Sequence, residues 1–132
     1  MSKAGNILVL DSSIIIEGFR QNPEVLATLT EAEILYLPTI AYGELYLGAI
    51  KSGNPDRKKE QLTLFLGTVR LLDVDWRTSH LYALIRKQLE QQGTPIPEND
   101  IWIAASAMQH EYRLYAKDQH FSKIEGLNIK SL

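Results

Sequence analysis

The feature that most constrains this chain is an unbroken apolar run near its start that ends on a carboxylate. The run from Ile7 to Leu10 is followed directly by Asp11, Ser12 and Ser13. A run that is apolar on both faces predicts a central strand of a parallel sheet, covered by helices on each side. Open α/β sheets keep their binding and active sites at the carboxyl ends of their strands, which is where Asp11 stands. The run therefore predicts both a fold class and the edge of the sheet at which function is expected.

The rest of the chain alternates between strand and helix patterns. Further strands are predicted at residues 34–37, 69–74, 113–116 and 127–130, and helices at residues 12–20, 23–31, 40–51, 56–66, 78–92 and 98–111. One of the two serines after Asp11 is expected to cap the first helix, and Thr39 the third. The alternation predicts an α/β fold with a mainly parallel sheet and helices on both faces. At 132 residues the chain is expected to form a single domain, residues 1–132.

Composition narrows the classes of function. The net charge of −2 gives no basic footprint, which argues against a protein that holds nucleic acid by charge alone. Cys is absent, which excludes a thiolate metal site and a Cys nucleophile and fits a reducing cytoplasm. No apolar stretch approaches the roughly 20 residues that a membrane span requires, so no membrane partner is expected.

Four acidic residues map to the carboxyl edge of the predicted sheet. Asp11 ends the first strand, and Glu44 lies in the helix that follows the second. Asp100 lies in the first turn of the helix that leads into the fourth strand, and Asp118 follows that strand. In right-handed βαβ units each of these positions lies at the same edge. Glu44 is the most informative, because its neighbours at helical spacing are small or apolar, which favours a buried carboxylate.

Each acid also has a purely structural interpretation. Asp11 taken alone is equally well explained as a helix N-cap. Asp100 is explained as a cap, or as an acid whose charge interacts favourably with the dipole at the start of its helix. Asp118 is explained as a turn residue after a strand, and Glu44 as the partner of a buried Arg. The convergence of all four on one edge favours a shared site.

Four neighbouring carboxylates require neutralisation. Two of them 4 Å apart repel by up to ~4 kcal/mol at an effective dielectric constant of ~20, so the cluster needs cations or protonation. A ligand set made of oxygens, without Cys, predicts Mg²⁺ or Mn²⁺ rather than zinc. Carboxylate clusters that hold such ions are typical of enzymes that cleave phosphodiesters, and a coordinated water is a ready nucleophile.

The four acidic motifs, in order and spacing, resemble those of the PIN-domain nucleases. The motifs are Leu10-Asp-Ser-Ser-Ile-Ile, Gly43-Glu-Leu, Asn99-Asp-Ile-Trp-Ile-Ala-Ala and Lys117-Asp-Gln-His-Phe. The resemblance is greatest to the VapC-type toxins of bacterial toxin–antitoxin pairs, and it extends from Ile7 to Ile129. It implies a three-layer α/β/α sandwich around a five-stranded parallel sheet of order 3-2-1-4-5. It also implies an endoribonuclease, a homodimer and a cognate antitoxin.

The same resemblance assigns roles to individual residues. It implies that Mg²⁺ or Mn²⁺ is held by the catalytic acids, and that a small polar residue orients the first of them. The implied ligands are Asp11, Glu44, Asp100 and Asp118, and the orienting residue is Ser13. The chain departs from the family at Ala116, where many members carry Thr or Ser. The missing hydroxyl weakens the expectation for Asp118.

Two other classes of protein remain as alternatives. A receiver-type signalling module also binds Mg²⁺ in an acidic pocket, with Asp73 or Asp75 as its phosphoacceptor. A catalytically silent scaffold that binds RNA or protein is the second alternative. The three histidines, His80, His110 and His120, have no spacing typical of a metal site, and solvated or hydrogen-bonded surface positions are expected for them. His120, beside Asp118, could also reach an RNA phosphate.

Overall fold

The central strand forms where the apolar run predicts it. In the computed structural model, which describes residues 6–132, β1 spans Ile7–Leu10. Leu8 is 3% exposed, and Val9 and Leu10 are fully buried. Both neighbouring strands run parallel to β1. A strand covered on both faces needs apolar side chains in both directions, and this sequence supplies them.

The other elements alternate along the chain as predicted. The strands are β1 (Ile7–Leu10), β2 (Ile34–Pro38), β3 (Arg70–Leu72), β4 (Arg113–Ala116) and β5 (Ile129–Ser131). The helices are α1 (Ser12–Phe19), α2 (Pro23–Glu31), α3 (Thr39–Ile50), α4 (Pro55–Leu66), α5 (Trp76–Gln92) and α6 (Glu98–Gln109), and a 3₁₀ helix spans Phe121–Lys123. The order of the parallel sheet is β3-β2-β1-β4-β5, which confirms the predicted α/β/α fold and strand order.

The strand order creates a switch point beside β1. The chain adds β2 and β3 on one side of β1, and then returns to place β4 and β5 on the other side. Connections therefore leave β1 and β4 in opposite directions, and a crevice opens at their carboxyl ends. The backbone N–H of Asp11 donates to the carbonyl of Tyr115 over 3.0 Å at this point. Asp11 thus lies at the position where doubly wound sheets hold their ligands.

Ser12, Ser13 and Thr39 were wrong as predicted helix caps, whereas the alternative that made Asp11 a helix N-cap is confirmed. α1 is capped by Asp11, whose side chain accepts the backbone N–H of Ser13, and neither serine is the cap. α3 follows Pro38 with no side-chain cap, and Thr39 is its first residue. The Thr39 hydroxyl instead donates to the carbonyl of Leu72 over 3.4 Å. A hydroxyl near a helix start can bond to a neighbouring strand as well as to its own helix, and the local sequence does not distinguish the two.

Two helix ends also differ from the prediction. α5 begins at Trp76, two residues early, because Asp75 caps it and forms a capping box with Thr78. α6 ends at Gln109, two residues before the predicted end. Glu111 has a φ of 57°, a left-handed conformation that cannot continue a right-handed helix.

The two edge strands are shorter than predicted or shifted. β3 contains only Arg70–Leu72, which pair with the last three residues of β2. β5 begins at Ile129, two residues late, and pairs only with β4. An edge strand has a hydrogen-bonding partner on one side only, so its length is set by that partner.

Among the helices of residues 6–132, none has both the length and the apolar character that a membrane span requires.

Candidate active site

Asp11 combines the two roles that its sequence position allowed. Its side chain is at the end of β1, and the residue is only 6% exposed. Oδ2 accepts the backbone N–H of Ser13 over 3.2 Å and the Ser13 hydroxyl over 2.5 Å. The same carboxylate therefore caps α1 and is held at the carboxyl edge of the sheet. Ser13 also accepts the backbone N–H of Lys117 over 3.3 Å, which ties Asp11 to the segment after β4.

Glu44 reaches the same edge from α3. It is half-buried, and its Oε1 accepts the hydroxyl hydrogen of Ser12 over 3.2 Å. The two serines that follow Asp11 therefore serve different acids, since Ser13 holds Asp11 and Ser12 holds Glu44. The role of Ser12 was not predicted. The two residues are 32 positions apart, and no local pattern links them.

Asp100 approaches from the first turn of α6. Its side chain is 17% exposed, and Oδ2 lies 2.8 Å from Nδ1 of His120. Asp100 was not predicted as the partner of His120, because His120 was expected to be solvated or hydrogen-bonded at the surface, or to reach an RNA phosphate. The available signal was the position of His120 two residues after Asp118, at the same edge of the sheet.

Asp118 lies after β4, but its carboxylate is engaged in its own loop. Oδ1 accepts the backbone N–H of Ser122 over 2.9 Å, within the 3₁₀ helix. Ala116, where a hydroxyl was expected from the family, is fully buried in β4. The turn role that was the alternative for Asp118 is therefore present in the structure.

Three of the four acids influence one another electrostatically. Burial raises the pKa of Glu44 above its ordinary value, a hydrogen bond from Asn99 opposes the rise, and the charges of Asp11 and Asp100 add to it. Burial likewise raises the pKa of Asp100, the hydrogen bond to His120 opposes this, and the charge of Asp11 adds to it. These shifts indicate that Glu44 and Asp100 are partly desolvated and lie within electrostatic range of the charge of Asp11.

The acids are near one another but are not arranged as a finished coordination shell. No three acidic or histidine side chains among residues 6–132 are already placed to hold a metal ion. Each acid instead keeps a polar neighbour of its own: Ser13, Ser12, His120 or the backbone of Ser122. Carboxylates that repel one another need a cation to bring them closer.

The raised pKa values predict how the stability of the metal-free protein depends on pH. The folded protein binds protons to Glu44 and Asp100 at a higher pH than the unfolded chain does. Between the ordinary pKa values of about 4 and the raised ones, the folded state therefore holds more protons, and its stability falls as the pH rises. We expect the double substitution Glu44→Gln, Asp100→Asn to remove this loss and to raise the melting temperature at pH 7 in the presence of EDTA. Thermal unfolding followed by circular dichroism from pH 4 to 8 measures the melting temperatures of both proteins. A double variant that melts below the wild type at pH 7 would contradict the prediction.

A groove of 260 Å³ runs from Glu44 between α1, α3 and α4. Its lining is largely apolar and includes Arg20 and Lys58. Among the four acids only Glu44 lines this groove. The groove is therefore adjacent to the acidic site and does not contain it.

The residues nominated for the receiver alternative have other positions. Asp75 is the N-cap of α5, where its Oδ1 accepts the backbone N–H groups of Arg77 and Thr78 and the side-chain amide of Gln109. Asp73 is exposed after the edge strand β3. His80 and His110 are exposed in or at the end of separate helices. These residues do not join the acidic site at the switch point.

Comparison with known proteins agrees with this geometry. The sequence profile of the family described as PIN domain matches residues 8–127. The chain belongs to the PIN-domain family. It is 35% identical over 126 residues to Ribonuclease VapC2 of Haemophilus influenzae, and the match covers 93% of this chain and 96% of that protein.

Solved structures share the fold of this PIN domain over nearly its whole length. VapBC-1 from nontypeable Haemophilus influenzae contains a chain with a TM-score of 0.86 and 28% identity, covering 95% of this chain and 97% of that one. VapBC-5 from Mycobacterium tuberculosis, a member of the VapBC family of toxin–antitoxin systems, contains a chain with a TM-score of 0.77 and 22% identity. The match covers 96% of this chain and 98% of that one. At this identity, the likeness to VapBC-5 shows a shared fold alone.

Proposed function

We propose that this PIN domain is an endoribonuclease that hydrolyses RNA phosphodiester bonds with Mg²⁺ or Mn²⁺. The observation that carries the proposal is the convergence of Asp11, Glu44 and Asp100 at the switch point of the sheet. They come from three separate elements and are buried or half-buried, and the charge of Asp11 raises the pKa of both Glu44 and Asp100. The name Ribonuclease VapC2 of the Haemophilus influenzae relative supports RNA as the substrate.

The chemistry of the donor set fits a hard divalent cation. All the candidate ligand atoms are carboxylate oxygens, which Mg²⁺ and Mn²⁺ prefer, and residues 6–132 contain no Cys to favour a softer metal. Asp11, Glu44 and Asp100 would hold the ion. Asp118 would complete the set through Oδ2, directly or through a water, because its Oδ1 accepts from Ser122.

The side chains of the site have separate tasks in the proposed reaction. A divalent cation held by Asp11, Glu44 and Asp100 would neutralise charge at the scissile phosphate and would make a water nucleophilic at neutral pH. Ser13 and Ser12 hold one oxygen each of Asp11 and Glu44, so these carboxylates are oriented before the substrate arrives. Partial burial of Glu44 and Asp100 strengthens their interaction with a cation, because less water screens it.

The proposal extends to partners. We propose that the protein is the toxin of a toxin–antitoxin pair, that a cognate antitoxin blocks its site, and that it forms a homodimer. Support for the pair comes from the likeness to VapBC-1 and to a member of the VapBC toxin–antitoxin family. Support for contact with another chain comes from α3, which exposes Tyr46, Leu47 and Ile50 at 40%, 52% and 46%.

Removal of divalent metal is expected to abolish RNA cleavage. The reason is that the carboxylates alone provide no nucleophile and repel the phosphate. The measurement is cleavage of end-labelled RNA by protein dialysed against EDTA, before and after addition of excess Mg²⁺ or Mn²⁺. We expect activity only after addition. Cleavage that continues unchanged in EDTA would rule out the metal mechanism, and no cleavage under any condition would favour the silent scaffold.

A further inference from the structure

An imidazole lies directly against one of the proposed ligands. Nδ1 of His120 is 2.8 Å from Oδ2 of Asp100, although the two residues are 20 positions apart. An ionised carboxylate only accepts hydrogen bonds, so Nδ1 donates to it, either as the neutral Nδ1–H tautomer or as the imidazolium. The contact therefore occupies one of the two oxygens of Asp100.

The ring is placed by the loop that carries it. Phe121, the next residue, is 2% exposed and anchors the start of the 3₁₀ helix in the core. The carboxylate of Asp118 closes the same loop through its 2.9 Å bond to the N–H of Ser122. The His120 side chain itself is 34% exposed. Anchors on both sides of His120 thus hold the imidazole against α6.

We propose that His120 is a positioning residue for Asp100. By donating Nδ1–H to Oδ2, it restrains the carboxylate and leaves Oδ1 as the oxygen that Asp100 offers to a cation. This inference rests on the proposed function, because it concerns the metal affinity of the same site. Hydrogen-bond partners of metal ligands commonly contribute 10–100-fold in metal affinity.

The test compares Mn²⁺ binding to His120→Ala, His120→Asn and the wild type. Asn places an amide N–H near the position of Nδ1 and can still donate to Asp100, whereas Ala cannot. Calorimetric titration of metal-free protein with Mn²⁺ is expected to show a dissociation constant raised by about 10–100-fold in His120→Ala, with most of the affinity restored in His120→Asn. His80→Ala, at an exposed histidine of α5, is the matched control and should bind as the wild type does.

Cleavage kinetics separate this role from an RNA contact. A positioning role predicts that kcat at limiting Mn²⁺ falls in His120→Ala and recovers as Mn²⁺ is raised. If His120→Ala binds Mn²⁺ with wild-type affinity, or raises only the KM for RNA, the positioning role is wrong. If circular dichroism shows that His120→Ala does not fold, the Mn²⁺ affinity of His120→Asn decides whether the positioning role holds. A folded His120→Asn variant that binds Mn²⁺ as weakly as Asp11→Asn also overturns the role.

The same titrations distinguish the inference from the proposed function. Wild-type protein that neither binds Mn²⁺ nor cleaves RNA would overturn both. Normal binding by His120→Ala, together with lost binding in Asp11→Asn, would overturn the role of His120 and leave the proposed metal site standing.

Discussion

Asp11→Asn is expected to lower the rate of RNA cleavage by more than about 100-fold, since loss of a direct ligand should exceed the loss of a ligand's partner. Asn keeps the size of the side chain but lacks the negative charge that a divalent cation requires. Asp11 is also the most buried of the four acids, so water cannot easily replace its oxygen. The measurement is single-turnover cleavage of labelled RNA in excess Mg²⁺, with Mn²⁺ affinity determined in parallel.

The same variant should keep its fold. Asn is as good an N-cap as Asp, and its side-chain oxygen can still accept the N–H of Ser13 at the start of α1. Loss of one charge also relieves repulsion with Glu44 and Asp100, so the metal-free variant should melt no lower than the wild type. Asp73→Asn, at an exposed acid after β3, is the control and should cleave normally. Full activity in Asp11→Asn would reduce Asp11 to a helix cap and remove the proposed site.

Leu10→Ala is expected to lower the free energy of unfolding by about 3 kcal/mol, within the range of about 2–5 kcal/mol for buried Leu. Leu10 is fully buried in the central strand and lies opposite Tyr115 of β4. β1 is paired with a strand on each side, so its backbone can move little to fill the cavity that the substitution leaves. Urea unfolding followed by circular dichroism measures the change.

The chain offers a matched control for this substitution. Leu64 is 72% exposed on α4, and Leu64→Ala should change the free energy of unfolding by no more than about 0.5 kcal/mol. Equal losses in the two variants would mean that the strand Ile7–Leu10 is not the centre of the core. Both proteins should be compared in EDTA, because bound metal stabilises only the folded state.

Most of the fold was predictable because its signals are local and strong. The apolar run of β1 and the alternation of strands and helices predicted the parallel sheet, and the family resemblance predicted its order, which the structure confirms. The errors lie at element ends. α5 begins two residues before its predicted start, because Asp75 caps it and several polar residues near that start were equally good caps. The length of β3 depends on its pairing with β2, which no local pattern describes.

The candidate site was predictable in its members but not in their contacts. The sequence placed four acids at one edge of the sheet, and three of them influence one another in the structure. Whether the four bind metal remains a prediction. Asp118, which the substitution at Ala116 made the least supported of them, bonds to the backbone of Ser122. The partnership of His120 with Asp100 was not anticipated.

The amino-acid sequence is enough to predict a buried strand that ends on Asp11, and to predict that Glu44, Asp100 and Asp118 lie towards the same edge. Periodicity and the handedness of βαβ units suffice for this, since both follow from local chain geometry. The polar group that holds each acid follows from the packing of the folded chain and not from any local pattern. Ser12 reaches Glu44 across 32 residues and His120 reaches Asp100 across 20, and such contacts depend on how whole helices and loops pack. Asp11 shows both the local pattern and the tertiary arrangement. Its carboxylate follows the strand β1 and caps α1, and it lies at the switch point of the sheet.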